Sequence, residues 1–231
     1  MNGLTINILL EEIDKGSLTE EQKNPQKGQA FFWRAWAYFK MVKAYGGVPL
    51  VLEVQGYEDI GSIQLPRNKT SECINAIIDD LDAAIKLLPD KWVDKDLGRI
   101  DKGAAKALKA RVLLFYASPQ LNPENITARW QKVYEVAKDA LEFNKSMGKG
   151  LYESFSGIWD DENGQKKEGI MVKRYSYPYI THSNATTRPL KWSVGGEGMD
   201  QPVLELVNSF PLVDGTPWNP LTMSYDTLHR H

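Results

Sequence analysis

The chain has 231 residues, 28 Lys+Arg against 30 Asp+Glu and a net charge of −2, with 42% apolar and 25% charged residues. A chain of this size buries roughly 70% of its unfolded surface and needs no staples. The charge balance excludes a global basic field for nucleic acid, and the apolar fraction excludes wholesale disorder. The lone Cys73 cannot form an internal disulfide and reads as a small apolar residue on a helix. No apolar run reaches the ~18–20 residues of a membrane span, and Met1 to Thr5 carries no charged segment leading into a signal sequence.

Residues 4–13 place Ile6, Leu9, Leu10 and Ile13 at helical spacing. Asn24 and Pro25 read as the cap and first turn of a second helix that runs to Tyr45 and stops at Gly46-Gly47, with Pro49 beyond. It is apolar on two sides, through Phe31, Ala35, Tyr38 and Val42 and through Phe32, Trp36 and Phe39, so it belongs at the centre of a bundle. A connection over 48–69 follows. Thr70 reads as the cap of a helix with the stripe Ile74, Ile77, Ile78, Leu81, Ile85 and Leu88, ended by Pro89. Asp79, Asp80 and Asp82 read as its solvated face. Asp101 caps a small-residue helix over 102–117, whose alanines favour close helix packing. A helix over 128–145 puts Trp130, Val133, Ala137 and Leu141 on one side. Together these predict a mainly α, tetratricopeptide-like helical bundle over 1–147. The stretch 148–231 is a loop-rich ligand-side region with minor β content, through a short strand within Glu168 to Tyr177.

Nothing in the chain calls for catalysis. HExxH, GxSxG and P-loop motifs are absent, and Gly195-Gly196-Glu197-Gly198 lacks the flanking strand and helix of a dinucleotide site. Asp160-Asp161-Glu162-Asn163-Gly164 resembles a calcium loop, but Met171 stands where the bidentate carboxylate belongs, so a polar turn is the better account. Glycosidase chemistry requires two carboxylates facing one cleft, which spacing alone neither gives nor removes. No cofactor and no metal site is expected. Arg111 is the buried-charge candidate, either a snorkelling side chain or the partner of a neighbouring carboxylate such as Asp82. Tyr175, Tyr177, Tyr179, His182, Asn184, Arg188 and Trp192 fall within eighteen residues. Their rings suit the apolar faces of sugars, with Asn, Arg and His for the hydroxyls, and equally suit pinning a long loop onto helices.

Four ordered blocks resemble the SusD/RagB family of cell-surface glycan-capture lipoproteins. The first runs from Ala30-Phe31-Phe32-Trp33-Arg34-Ala35-Trp36-Ala37-Tyr38-Phe39 into Tyr45-Gly46-Gly47-Val48-Pro49-Leu50. The second is Asp79-Asp80-Leu81-Asp82-Ala83-Ala84-Ile85 with Leu88-Pro89, and the third Gly98-Arg99 with Lys102-Gly103-Ala104-Ala105 leading to Leu114. The fourth is Gln201-Pro202-Val203-Leu204-Glu205-Leu206-Val207 leading to Phe210 and Asp214-Gly215. The resemblance implies a tetratricopeptide-like bundle without catalytic activity. Such a protein caps a TonB-dependent outer-membrane transporter (SusC-like) and hands it a glycan or peptide ligand. It implies an outer-membrane, surface-exposed location and membrane contact only through a lipid anchor that this sequence lacks, so the sequence reads as an internal fragment. The ligand region of such proteins falls near 150–195, which favours the seven residues above by region only. The alternative is a tetratricopeptide-type scaffold that binds a peptide or protein in a helical groove.

Overall fold

The computed structural model describes residues 3–56, 65–93, 96–155, 157–160, 167–172, 175, 179, 203–212, 214–219 and 221–223. The chain divides into two compact units, residues 1–173 and 174–231. The described elements are helices: α1 (Gly3–Glu12) with a 3-10 turn at Ile13–Lys15, α2 (Glu20–Tyr45), α3 (Thr70–Leu87), α4 (Lys102–Ala117), α5 (Thr127–Ser146), the single turn α6 (Gly157–Asp160) and, in the second unit, α7 (Leu204–Asn208). No helix among the described residues is long and apolar enough to cross a membrane. The mainly α architecture is the one expected from the periodicity.

The second helix starts at Glu20, well before the Asn24-Pro25 start read from sequence. Thr19 closes a capping box with Gln22, the Thr19 N–H donating to the Gln22 side chain at 3.1 Å. Glu20 and Glu21 then sit at the positive end of the helix dipole. These terms outweigh the bond lost at Pro25, because the carbonyl it frees belongs to the exposed Glu21 and faces water. The third helix begins with Thr70 already inside it. Lys69 holds the cap position, its N–H donating to Glu72 Oε2 at 3.1 Å. Asp101 caps α4 as expected, accepting the Ala104 N–H at 2.9 Å.

The core of the first unit lies between α2, α3 and α4. Phe32, Ala35, Phe39 and Val42 of α2 meet Cys73, Ile74, Ile77, Leu81 and Ala84 of α3, and Ala104, Ala105, Leu108 and Val112 of α4 close it. Two expectations about charge are corrected here. Arg111 is exposed, since Leu108 and Val112 take the inward face of α4, and Asp82 pairs instead with Lys109 at 2.5 Å. The Asp79, Asp80 and Asp82 group is not one solvated face: Asp80 is only 5% exposed and lies in the buried stripe of α3.

The last long helix packs through a neighbouring face to the one expected. Val133, Val136, Ala140, Phe143 and Asn144 turn inward, while Trp130, Ala137 and Leu141 stay exposed. The contact with α4 is close because Gly103 lies against Asn144, where an added Cβ would meet Asn144 Oδ1 at 2.5 Å. Asn144 Nδ2 donates to the carbonyls of Ala140 at 2.8 Å and Gly103 at 3.3 Å. The strand expected in Glu168 to Tyr177 is not formed by its described residues. Lys167 O accepts the Gly150 N–H at 3.1 Å, Glu168 Oε2 the Tyr152 N–H at 3.0 Å, and Gly169 O the Lys149 ammonium at 2.6 Å. This stretch thus forms the neck of a closed loop rather than a ladder.

Candidate functional site

The polar heart of the first unit is Arg34, set in the middle of the apolar α2. Its Nε and Nη2 reach both oxygens of Asp80 at 2.8 and 2.6 Å, and its Nη1 donates to Asn7 Oδ1 at 3.0 Å and to the Leu52 carbonyl at 2.9 Å. Asn7, on α1, donates onward to the carbonyls of Val51 and Glu53 at 2.9 and 3.0 Å. Tyr38, one turn after Arg34, exchanges hydrogen bonds with the backbone of Val51: its hydroxyl accepts the amide at 2.7 Å and donates to the carbonyl at 3.1 Å. A fork of five fixed N–H donors explains why this position is Arg. One side chain ties α1, α3 and the 51–53 segment onto α2. Burial pushes the Asp80 carboxyl above its ordinary value against the pull of Arg34, and burial likewise pushes the Tyr38 phenol up. The network is structural chemistry; its bidentate, desolvated pairing is expensive to break from one side.

The Tyr45-Gly46-Gly47-Val48-Pro49 turn uses its two glycines for different reasons. Gly46 has φ +72° and closes α2 by donating its N–H to the Val42 carbonyl at 2.9 Å. Gly47 has no room for a side chain: an added Cβ would lie 2.0 Å from the backbone oxygen of Asn68. That approach lets Arg67 bond the Gly47 carbonyl at 2.8 Å and the Tyr45 carbonyl, and lets Asn68 donate to Val48 at 3.2 Å. Beneath the turn the Cys73 sulfur lies 3.4 Å from both the N and the O of Val48. The apolar reading of Cys73 holds, with a weak polar bond added.

Beside Arg34 the surface opens into a groove of about 540 Å³ lined by Asn7, Leu10, Glu11, Phe31, Arg34, Leu52, Glu53 and Val54. Sequence reading did not pick out this groove. Asn7 and Asp80 were legible only as an Asn in an apolar helix and as one of three neighbouring acids. Of the seven aromatic-loop candidates, the described residues include Tyr175, 44% exposed, and Tyr179, 88% exposed. Tyr177, His182, Asn184, Arg188 and Trp192 lie outside the described residues, as do Asp161 to Gly164 of the calcium-like segment and Gly195 to Gly198. Among the described residues no group of acidic, His and Cys side chains has the arrangement of a metal site. In the second unit Trp218 is buried and donates to Asn208 Oδ1 at 3.0 Å. Gly215, at φ +84°, turns the chain so that Leu212 N–H meets the Thr216 carbonyl at 2.8 Å.

The helical hairpins, the Arg-centred α2 and the glycine turn define a helical scaffold of the tetratricopeptide-like kind. Residues 4–114 match the family described as starch-binding and associating with the outer membrane. A SusD-like protein of Bacteroides ovatus is 25% identical over 161 residues, which are 70% of this chain and 28% of that protein. A crystal structure of a SusD-like protein from Bacteroides fragilis aligns with 30% identity and a TM-score of 0.68, over 93% of this chain and 41% of that one. The fold is also that of a SusD-like carbohydrate-binding protein from Bacteroides fragilis, with 22% identity and a TM-score of 0.78 over 97% of this chain and 40% of that one. Residues 4–114 thus carry the SusD-like match, and the chain spans about 28% of the length of the curated relative it matches.

Proposed function

We propose that the chain is the helical part of a non-catalytic, surface-exposed outer-membrane binder of oligosaccharides that delivers them to a TonB-dependent transporter. The observation that carries this reading is the match of residues 4–114 to a family described by starch binding and outer-membrane association. The exposure of Tyr175 and Tyr179 supports it, because a flat ring left in water offers area to a sugar face at small entropic cost. In this reading Tyr175, Tyr177, Tyr179 and Trp192 stack on sugar rings, while His182, Asn184 and Arg188 bond hydroxyls. Membrane contact in this reading runs through a lipid anchor. Titration calorimetry with a maltooligosaccharide series tests the reading. Tyr179→Ala, at the more exposed ring, is expected to weaken binding about tenfold or more with no product released from the sugar. Unchanged affinity in Tyr175→Ala and Tyr179→Ala together removes these two rings from the site, and turnover of the oligosaccharide overturns the non-catalytic reading.

A further inference from the structure

The groove beside Arg34 has a chemistry the glycan reading does not use. Its lining is apolar through Leu10 of α1, Phe31 of α2, and Leu52 and Val54 of the following segment. It is acidic through the exposed Glu11 and Glu53. Lys15 approaches Glu11 at 3.6 Å but is shared with Glu12, and no described basic side chain pairs with Glu53. Among the described residues Arg34 is the one cation in the lining, and it is committed to Asp80, Asn7 and Leu52. The guanidinium also lies over the Phe31 ring, 5.4 Å from its centroid, so one face of that ring is already covered.

The backbone at the groove edge is unequally used. The carbonyls of Val51, Leu52 and Glu53 all accept from buried side chains. The N–H groups of Leu52, Glu53 and Val54 have no hydrogen-bond partner among the described residues, although all three residues are exposed. Free main-chain donors beside an apolar trough are what a peptide backbone pairs with, leaving its side chains to give specificity. Two carboxylates without free cations select the sign of those side chains.

We propose that this groove docks a peptide segment of a partner protein, with an apolar side chain set among Leu10, Phe31, Leu52 and Val54 and a flanking Lys or Arg at Glu11 and Glu53. The main-chain carbonyls of the segment accept from the 52–54 edge. This surface is independent of the sugar site and does not rest on it.

The test uses the full 231-residue chain and two fluorescein-labelled octapeptides, one alternating Leu with Lys and the other Leu with Glu, followed by fluorescence anisotropy. The Leu/Lys peptide is expected to bind about tenfold tighter or more, and Glu11→Gln with Glu53→Gln is expected to abolish that preference. Val54→Ser, at an exposed position, is expected to weaken binding of the Leu/Lys peptide while the circular dichroism spectrum and unfolding midpoint stay unchanged. Equal binding of the two peptides overturns the proposal, as does a preference that survives the double substitution. Loss of the preference in the remote pair Glu135→Gln and Glu142→Gln also overturns it, since the attraction is then general rather than local. Displacement of the Leu/Lys peptide by maltoheptaose overturns it in favour of a sugar occupant.

Discussion

The two sides of α4 are both apolar in sequence and are packed by different means. Toward α2 and α3 it meets large, fully buried side chains: Phe32, Ile74, Ile77 and Leu81 are each at most 1% exposed. Toward α5 the half-buried Val133, Val136 and Phe143 surround a close contact of small residues and an amide, Gly103 against Asn144 with Ala140 beside them. The first side buries large apolar side chains, and beyond it Arg34 and Asp80 pair α2 with α3. The second depends on a close approach, at Gly103, where an added Cβ would meet Asn144 Oδ1 at 2.5 Å. Apolar periodicity announces both helices alike, but which arc of a helix is covered depends on the size of what it meets.

The sharpest break of this comparison is at the charged pair. Asp80→Ala leaves the Arg34 guanidinium buried without its carboxylate and is expected to cost about 3–5 kcal/mol, read from a urea transition. The double change Arg34→Met with Asp80→Leu is expected to recover most of that, because both desolvation costs then vanish together. The pH dependence has a definite sign. Burial raises the Asp80 carboxyl, with the Arg34 bonds opposing, so folding favours its protonated form. Its contribution is full below the unfolded aspartate value and is lost as pH rises through the folded one. The stability difference between the native chain and Asp80→Asn, whose amide does not titrate, therefore falls as pH rises through that window. A difference that grows instead contradicts the direction.

Next in size are the glycines of the turn that delivers the chain from α2 to α3. Gly47→Ala forces its Cβ onto the Asn68 backbone oxygen, which no rotamer relieves, and is expected to cost about 3 kcal/mol or more. Gly46→Ala meets only the Thr70 hydroxyl at 3.6 Å and carries the strain of φ +72°, an expected loss of about 1–2 kcal/mol. Equal losses at the two positions, measured by denaturant unfolding, contradict their separate roles.

The covered arc of α5 is tested by a matched pair. Ala140→Leu overfills the contact with α4 and is expected to cost about 1–3 kcal/mol. Ala137→Leu, on the exposed arc with Trp130 and Leu141, is expected to stay within about 0.5 kcal/mol. The reverse order restores the face expected from sequence.

Those positions also show how far the sequence could be read. The helices were legible because period, caps and breakers agreed at Tyr45-Gly46, at Leu88-Pro89 and at Asp101. The α2 start was not, because Pro25 is a stronger mark on the page than the Thr19 and Gln22 pair that wins in space. The inward arc of α5 was hidden because Trp130 and Leu141 outweigh Ala140 in hydrophobicity, while only a small residue permits the approach to Gly103. Arg34 was visible in its motif, but its partner was one of three acids, and only the α3 stripe through Ile77, Leu81 and Ala84 points to Asp80. The groove joins α1 to residues 52–54 through Asn7, a contact between positions more than forty residues apart that no local pattern encodes. Of the aromatic loop, the residue types were legible, and Tyr175 and Tyr179 are exposed.

The smallest effects belong to the ion pairs that flank α4 on its two sides. Lys109 reaches Asp82 of α3 and Lys106 reaches Asp139 of α5, each at 2.5 Å. Both lysine side chains are 15% exposed while their acids are more than half exposed, so each pair lies at the edge of its contact and in reach of solvent. Double-mutant cycles are expected to give less than about 1 kcal/mol for each, falling as salt rises. If the two sides of α4 differ only in how they bury apolar surface, the two coupling energies agree. A larger coupling for Lys106, which also lies 5.3 Å from the Phe143 ring centroid, assigns part of the α5 contact to charge rather than to closeness.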